Sequence, residues 1–334
     1  MKVSVIIPCY NERSVIKDLL DALLNQSFPV DDMEVIVADG MSTDGTREII
    51  NKFAANHPEL PVKLVDNWKR TIPSALNRAL EKAQGEFIVR LDAHSNPDQE
   101  YIKKSIQALE EEKGSNIGGV LAIKPSVDTW IARSIAVAAG HPLGVGDARY
   151  RIGSRAREVD TVAYGAYRAD LITEIGPYDE SLLANEDYEF NVRIRKAGGT
   201  IWLDPSVQAD YLARATLGAL ASQYWRYGFW KLKMLLRYPE TFRWRQISGL
   251  FVLSWIVLGL LSVWVRFARW LLALEAVIYL VPLLISGVIA AIRRKDFRYL
   301  LGVPAAIATM HFSWGAGFLW SLVTSAAAKL SGRE

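Results

Sequence analysis

Cysteine is almost absent. Cys9 stands alone among 334 residues, so no internal disulfide can form, and its place in the apolar run VSVIIPCY makes it a small core residue. A reducing compartment is therefore expected. The glycine fingerprint G-x-G-x-x-G does not follow the first apolar run, and the phosphate loop G-x-x-x-x-G-K-[ST] occurs nowhere. The usual dinucleotide and P-loop ways of holding phosphate lose their support. No cleavable leader is expected, because Met1 to Pro8 is a short apolar run that turns polar at Asn11-Glu12-Arg13. Internal repeats and low-complexity tracts are missing too. Acidic residues are scarce in one part of the chain: residues 211–334 carry 4 Asp+Glu against 15 Lys+Arg, whereas residues 1–210 carry 32 against 24.

The length allows one large α/β domain or two smaller ones with a substantial core. An acidic part followed by a basic, tryptophan-rich part is the pattern of a chain whose second half faces anionic lipid headgroups. A basic tail also suits nucleic acid, but long apolar runs interleave these charges, so no nucleic-acid partner is expected.

Short β-branched runs alternate with helical patterns over the first 120 residues, which predicts an α/β fold with a mostly parallel sheet and crossover helices. The strand candidates are VSVIIP, MEVIVAD, VKLVD, EFIVRLD and GVLAIK. Helices are predicted at 12–26, 44–56, 72–83 and 98–112, with Asp44 and Asp98 suited to start two of them. From 125 to 160 the signal weakens and a mobile loop carrying Arg149, Arg151, Arg155 and Arg157 is expected, followed by a helix from about Asn185 to Gly198-Gly199.

Residues 216–237, dense in Trp225, Phe229 and Trp230 beside Lys231, Lys233 and Arg237, predict a helix lying in a membrane interface. Apolar segments at 248–265, 270–292 and 300–323 approach the length that crosses a bilayer, the first of them borderline. The expected layout is a catalytic domain at 1–214, interfacial helices at 215–245 and about three transmembrane helices at 246–334. Arg293, Arg294, Lys295 and Arg298 then belong on the cytoplasmic side, and the amino-terminal domain with them. The alternative is that these segments are core helices of a second soluble domain.

In an open parallel sheet, ligands bind where strands end and their loops face one crevice. Those ends are polar here: Pro8-Cys9-Tyr10-Asn11-Glu12, Asp39-Gly40, Asp66-Asn67 and Asp92-Ala93-His94. Asp92 and His94 can approach one cation if the peptide turns between them, a donor pair that suits Mn2+ and also Mg2+. Such an ion can neutralise charge on a departing diphosphate. A strand-end aspartate also fits a turn or a helix cap. Asn185-Glu186-Asp187 places two carboxylates at a helix start, where the helix dipole favours their ionised form. Asp187 is the candidate base toward an acceptor hydroxyl and Glu186 its orienting partner, although helix capping fits either. On the helix that follows, Gln223 and Arg226 lie three apart with Tyr227 beside them. Arginine could reach a phosphate and the aromatics a sugar ring, and membrane anchoring explains the aromatics equally well. The loop arginines suit either a lipid diphosphate or solvent.

Taken together, VSVIIPCYNE, VADGMSTDGT, QGEFIVRLDAHS, NEDYEFNVRIRKAGG and QYWRY resemble, in order, the signatures of family 2 glycosyltransferases, which adopt the GT-A fold. The resemblance covers about residues 2–237 and is strongest toward the succinoglycan-biosynthesis glucosyltransferases that extend a polyprenyl-diphosphate-linked sugar. It implies an inverting, metal-dependent enzyme that transfers one hexose, glucose from UDP-glucose, at the cytoplasmic face of the bacterial inner membrane. Its partners would be a UDP-sugar donor, the polyprenyl-diphosphate-linked acceptor and membrane lipids. It further implies that Pro8, Tyr10, Glu12 and Asp39 contact the nucleoside, with Asp39 accepting the uracil N–H. Asn11, Asn67, Arg70, Asn77 and Asp92 complete the expected nucleotide-sugar set, and Gln223, Arg226 and Tyr227 the acceptor side. His94 stands where many relatives carry a second aspartate, which leaves open which ion is used. Tyr227 replaces the tryptophan of processive relatives, and about three spans could not line a polymer channel, so single addition is expected. The competing activity is a polyprenyl-phosphate glycosyl synthase. From other classes, a membrane-tethered nucleotide-binding protein and a nucleotidyltransferase compete, the latter lacking its expected phosphate loop.

Overall fold

In the computed structural model of the chain, residues 1–153, 155–243 and 248–331 are described. The opening alternation is β1 (Val3–Cys9), α1 (Ile16–Leu24), β2 (Met33–Asp39), α2 (Thr46–Asn56), β3 (Val62–Asp66), α3 (Ile72–Leu80) and β4 (Phe87–Arg90). Every residue of β1 and β2 is buried, as expected of parallel strands covered by helices on both faces. β1 pairs in parallel with β2 and β4, and β2 with β3. The register sets Cys9 opposite Asp39 and Asp39 opposite Asp66. Three strands therefore end level, and their loops open on one side.

The chain continues with β5 (Ser95–Pro97), α4 (Tyr101–Glu110), β6 (Asn116–Pro125), α5 (Trp130–Ala139), α6 (Pro142–Val145) and α7 (Arg149–Ile152). Then come β7 (Arg157–Glu158), β8 (Ala166–Arg168), α8 (Leu171–Ile175), α9 (Glu186–Lys196) and β9 (Ile201–Ala213). The nine strands run in the order β3-β2-β1-β4-β8-β6-β9-β5, with β7 on β9. The α/β class holds, but the sheet is mixed. GVLAIK lies in β6, antiparallel to β8, and β8 is antiparallel to β4 as well. Insertion of the late strand β8 between β4 and β6 ends the parallel run, a long-range event that local periodicity does not carry.

The chain divides into two units, Met1–Ala122 with Ala148–Tyr211, and Ile123–Asp147 with Leu212–Glu334. In the first, Ile6, Ile36, Leu76, Ile88, Tyr167, Tyr178 and Phe190 share one core. The Tyr178 and Phe190 rings stack at 4.5 Å and 16°.

The second unit holds α5 and α6 together with α10 (Leu217–Arg237), α11 (Ser248–Leu261), α12 (Arg266–Arg294) and α13 (Tyr299–Leu330). The stretch 125–160, expected to be a loop, thus contains the ten-residue helix α5, whose Thr129 cap accepts from Ala132 N at 3.2 Å. Its buried residues Ala132, Ser134, Ile135, Ala136, Ala138 and Ala139 wrap most of the helix. Burial that broad leaves no one-sided stripe to read in the sequence. Val303, Ala306, Ile307 and Met310 of α13 join Ile135 and Leu220 in the core of this unit. A Cβ on Gly228 of α10 would lie 2.0 Å from the Trp314 carbonyl oxygen, and one on Gly317 of α13 would lie 2.2 Å from that of Trp225. Only glycine lets these two helices approach backbone to backbone.

Of the three apolar segments, α11 has 14 residues, about 21 Å at ~1.5 Å per residue and short of the ~30 Å apolar thickness of a bilayer. Among the described residues, one helix, Arg266–Arg294, is long and apolar enough to cross a membrane. The expected boundary at 245/246 lies outside the described residues.

Candidate active site at the strand ends

Backbone strain marks the site. Among the described residues seven non-glycine residues have positive φ, and five of them, Asn11, Met41, Arg70, Tyr164 and Asn185, lie in the loops after β1, β2 and β3 and before β8 and α9. Each L-residue held there costs about 1–3 kcal/mol, and such strain gathers where geometry serves function.

Pro8 is buried near the end of β1, and Tyr10 beyond it is 48% exposed. Its ring rests on Gly40, where a Cβ would come within 3.0 Å, and the Arg70 guanidinium lies 5.9 Å above the ring centre. Asn11 N–H donates to Ser42 Oγ at 2.7 Å and Asn11 Oδ1 accepts from Thr43 N at 3.0 Å. Glu12 N–H donates to Thr46 Oγ1 at 2.9 Å. The first two loops are thereby stitched together.

Asp39 has no exposed surface. Ser42 Oγ and N–H donate to it at 2.5 and 2.9 Å, and Arg47 Nη1 at 2.8 Å. With both oxygens engaged in a dry setting, Asp39 anchors Ser42 and Arg47, and it is these two that reach toward solvent from this corner. Arg47 also binds Asp66 at 2.8 Å, and its two carboxylates raise its affinity for its proton above the ordinary value. Sequence reasoning missed Arg47, because nothing local distinguishes it from a solvated helix arginine.

Asn67 is buried, its side-chain amide donating to the Thr71 carbonyl at 3.0 Å and its N–H to the Asp39 carbonyl at 2.8 Å. Asn77 spends its amide on Tyr178 and Glu180, accepting from Tyr178 N at 2.8 Å and donating to Tyr178 O at 2.9 Å and Glu180 Oε1 at 3.1 Å. These bonds clamp α3 to the 178–180 segment.

The centre of the site is Arg90, the last residue of β4 and 2% exposed. Its guanidinium lies 2.9 Å from Asp92 Oδ1 and 3.3 Å from Glu186 Oε1, and is ion-paired with Asp187. Burial works against its charge, but Asp92 and Glu186 outweigh that and hold its pKa above the ordinary arginine value. The carboxylate side chains show 21%, 10% and 27% of their surface, against 3% for the arginine. Three acids thus line the crevice above a buried cation. A charged residue ending the apolar run EFIVR was the available signal, since arginine is almost never fully buried without partners. The Tyr164 hydroxyl, buried and without a hydrogen-bond partner among the described residues, belongs to this neighbourhood. Burial, with Asp92 adding to it, pushes that phenol well above its ordinary range, so it stays protonated.

His94 Nδ1 lies 3.2 Å from Glu12 Oε1. Among the described residues no three His, Cys, Asp or Glu side chains converge as a metal cage. An ion that binds a diphosphate needs only one or two protein carboxylates, with phosphate and water supplying the rest. Counting charges, three carboxylates against one guanidinium leave a deficit of two, which a divalent cation would match. The donor set fits an open site at Asp92, with His94 on the adjoining turn.

In the second unit, Gln223 is buried and donates to Tyr227 Oη at 3.1 Å, one helical turn away. Arg226 points to solvent. Of the loop arginines, Arg149 and Arg151 fall in α7, with Arg151 stacked 5.1 Å over Tyr211, and Arg155 and Arg157 are exposed.

A family model described as Glycosyl transferase family 2 matches residues 4–175. The chain belongs to this glycosyl transferase family. The Succinoglycan biosynthesis protein ExoA of Rhizobium meliloti is 30% identical over 317 residues, covering 94% of this chain and 93% of that protein. A dolichyl N-acetyl-alpha-D-glucosaminyl phosphate 3-beta-D-2,3-diacetamido-2,3-dideoxy-beta-D-glucuronosyltransferase of Methanococcus voltae is 27% identical, covering 96% and 97%. Mannosyltransferase PcManGT from Pyrobaculum calidifontis, solved in complex with GDP-Man and Mn2+, aligns with a TM-score of 0.63 over 96% of this chain and 87% of that one, at 20% identity. The GT-A fold is shared. As a family 2 glycosyltransferase the chain is an enzyme, and its β1, β2, β3 and β4 ends all fall inside the matched region. Glu186 and Asp187, which Arg90 draws to Asp92, lie outside it.

Proposed function

We propose that this glycosyltransferase transfers a single hexose, glucose from UDP-glucose, with inversion onto a saccharide linked to a polyprenyl diphosphate, in bacterial exopolysaccharide assembly. The observation that carries this is the Asp92–Arg90–Asp187 arrangement, in which one buried cation ties a carboxylate suited to the donor's diphosphate to a carboxylate suited to an acceptor hydroxyl.

Tyr10 and Arg70 offer a flat surface to the nucleobase, and Arg47 and Ser42 give polar contacts beside it. Asp92, with His94, would hold a Mn2+ or Mg2+ ion, which supplies neutralising charge for the departing nucleoside diphosphate. Asp187 takes the proton from the acceptor hydroxyl as that oxygen attacks the anomeric carbon from the face opposite the diphosphate, and Glu186 helps to orient it. Both stand in the first turn of α9, where the dipole favours their ionised form.

The membrane assignment draws on the second unit, where Leu274, Ile278, Leu284 and Ile285 of α12 are 48–65% exposed. Arg266 and Arg269 lie at one end of α12, Arg293 and Arg294 at the other. An apolar span flanked by cations suits a bilayer. We place the catalytic domain on the cytoplasmic face of the inner membrane, with Gln223, Arg226 and Tyr227 on the acceptor side. That the acceptor is a lipid-linked sugar is supported by the printed name of the Methanococcus relative, which acts on a sugar carried on a lipid phosphate; the diphosphate link is part of the proposal. A polyprenyl-phosphate glycosyl synthase would need no base, because its acceptor is already anionic.

A panel of nucleotide sugars should be offered with a defined lipid-linked acceptor to the wild-type enzyme and to Asp187→Asn. The expected result is a diphosphate-linked disaccharide by mass spectrometry, lost on chelation of divalent ions and reduced about 10²–10⁴-fold in the variant while UDP binding persists. A monophosphate-linked sugar as product, or near-normal transfer by the variant, would overturn the reading.

A further inference from the structure

We infer that Arg90 is a positioning residue for the transfer reaction: from beneath the crevice it sets the orientation of Asp187. The inference rests on the reading of Asp187 as the base. It goes beyond it by assigning the control of that base to a side chain that touches neither substrate.

Asp187 sits in the first turn of α9 with 27% of its side chain exposed. A carboxylate there, with only water around it, would sample several rotamers. Arg90 contacts it from β4, a strand whose four residues are all buried, so the anchor is rigid while the anchored group is not. Guanidinium is the group suited to this task, since its planar fork presents five donors in fixed directions and can serve several carboxylates at once. Lysine offers a point charge on a flexible stem and could satisfy fewer of them.

The same guanidinium reaches Asp92 at 2.9 Å and Glu186 at 3.3 Å. Donor-side and acceptor-side carboxylates therefore draw on one cation. A purely structural arginine would need no such division: a carboxylate on a neighbouring strand would neutralise it, as Glu34 does for Lys63 at 2.7 Å. Arg90 instead directs its charge to the acids that line the crevice. A base displaced by about 1 Å is expected to cost on the order of 10²-fold in rate.

The test is a kinetic double-mutant cycle on the full-length enzyme in membranes, comparing wild type, Arg90→Met, Asp187→Asn and the pair, with Arg90→Lys alongside. Four quantities are measured: kcat, donor KM, UDP affinity and melting temperature. Arg90→Met should lower kcat about 10²-fold with donor KM within about 3-fold of wild type. In the Asp187→Asn background it should add less than about 2-fold, because its work is done through Asp187. Arg90→Lys should recover at least ten-fold over the methionine variant.

Multiplying effects, a loss confined to donor KM, or wild-type kcat in Arg90→Met would each overturn the inference while leaving the base in place. Near-normal transfer by Asp187→Asn would overturn the base reading itself. Because three carboxylates would be left without their cation, Arg90→Met is paired with Arg90→Met/Glu186→Gln, which removes one charge of each sign. If both of these and Arg90→Lys lose UDP binding and melt early, Arg90 is structural and the inference fails.

Discussion

In the first unit only Met1, Tyr10, Trp68 and Leu183 are large apolar side chains with exposed surface among the described residues, and all but Met1 stand beside the strand-end loops. In the second unit the exposed apolar residues run through α11 and α12 and on into α13, with Trp264, Phe267, Trp270 and Phe297 between 67% and 82% exposed. Charge is distributed differently too, although Lys231 of the second unit is also buried. The first unit buries Glu34, Asp39, Arg90, Glu186 and Glu189 against partners, while residues 211–334 contain only 4 acidic residues. The contrast teaches that the two units present different surfaces, the first a polar site around an apolar interior and the second exposed apolar helix faces of the kind the proposed membrane setting would cover. Water rewards an apolar interior around a satisfied polar site, whereas hydrocarbon neither penalises an apolar exterior nor tolerates unpaired charge.

The comparison can be broken most strongly in the first unit. Phe190→Ala removes a ring stacked on Tyr178 and tilted against Tyr167 at 5.1 Å. It should destabilise that unit by about 3–5 kcal/mol, read as a lowered denaturant midpoint and lost UDP binding with membrane attachment retained. The converse change is Val281→Arg, near the middle of α12 and 47% exposed in the wild type. A cation there costs about 2.5–3.5 kcal/mol at the centre of a membrane-spanning helix. The expected outcome is loss from the carbonate-washed membrane fraction with UDP affinity unchanged; an unaltered membrane fraction would argue that α12 is not in lipid.

Smaller effects sharpen the contrast. Gly317→Leu forces a side chain into the Trp225 backbone and should cost about 1–3 kcal/mol, seen as earlier thermal unfolding in detergent with unchanged UDP affinity. Glu34→Gln touches a buried carboxylate that accepts from Ser4 Oγ at 2.6 Å, Lys63 Nζ at 2.7 Å and Gln84 N at 2.8 Å. Burial alone would raise this carboxyl, and the bonds from Lys63, Ser4 and Gln84 outweigh it, so its pKa lies below the ordinary value. Its stabilisation is then complete above the unfolded carboxylate pKa of about 4.3 and fades as pH falls through the lower folded value. At pH 7 the variant should be less stable by about 1–2 kcal/mol, and the gap should close in acid melts. A gap that persists below the folded value would refute the ionic explanation.

The candidate site could be drawn up from the sequence because its parts sit at strand ends. The runs VSVIIP, MEVIVAD and VKLVD announce buried strands by composition, so the polar residues following each are candidates before any contact is known. Glu186 and Asp187 were legible as a pair at a helix start. Arg47 and Arg90 were not, because an arginine's role depends on which acids surround it, and those acids come from 8 and 19 residues away for Arg47 and from 2 and 96 for the Asp92 and Glu186 contacts of Arg90. Asn77 was legible as a polar residue, but its use as a clamp depends on the return of Tyr178 101 residues later. Helix α5 stayed hidden because it is buried around most of its circumference.

The amino-acid order by itself determined the alternation of strand and helix, the polar residues at the strand ends, the acidic-then-basic division and the apolar helices, since each follows from local periodicity and composition. Only the tertiary structure decided the antiparallel insertion of β8, the assignment of residues 123–147 to the helical unit, the sequestering of Asp39 and the gathering of three carboxylates over Arg90. Those depend on which distant segments meet. Pairing between segments far apart in the chain is governed by packing and by the need to neutralise buried charge, and neither leaves a periodic trace in the sequence.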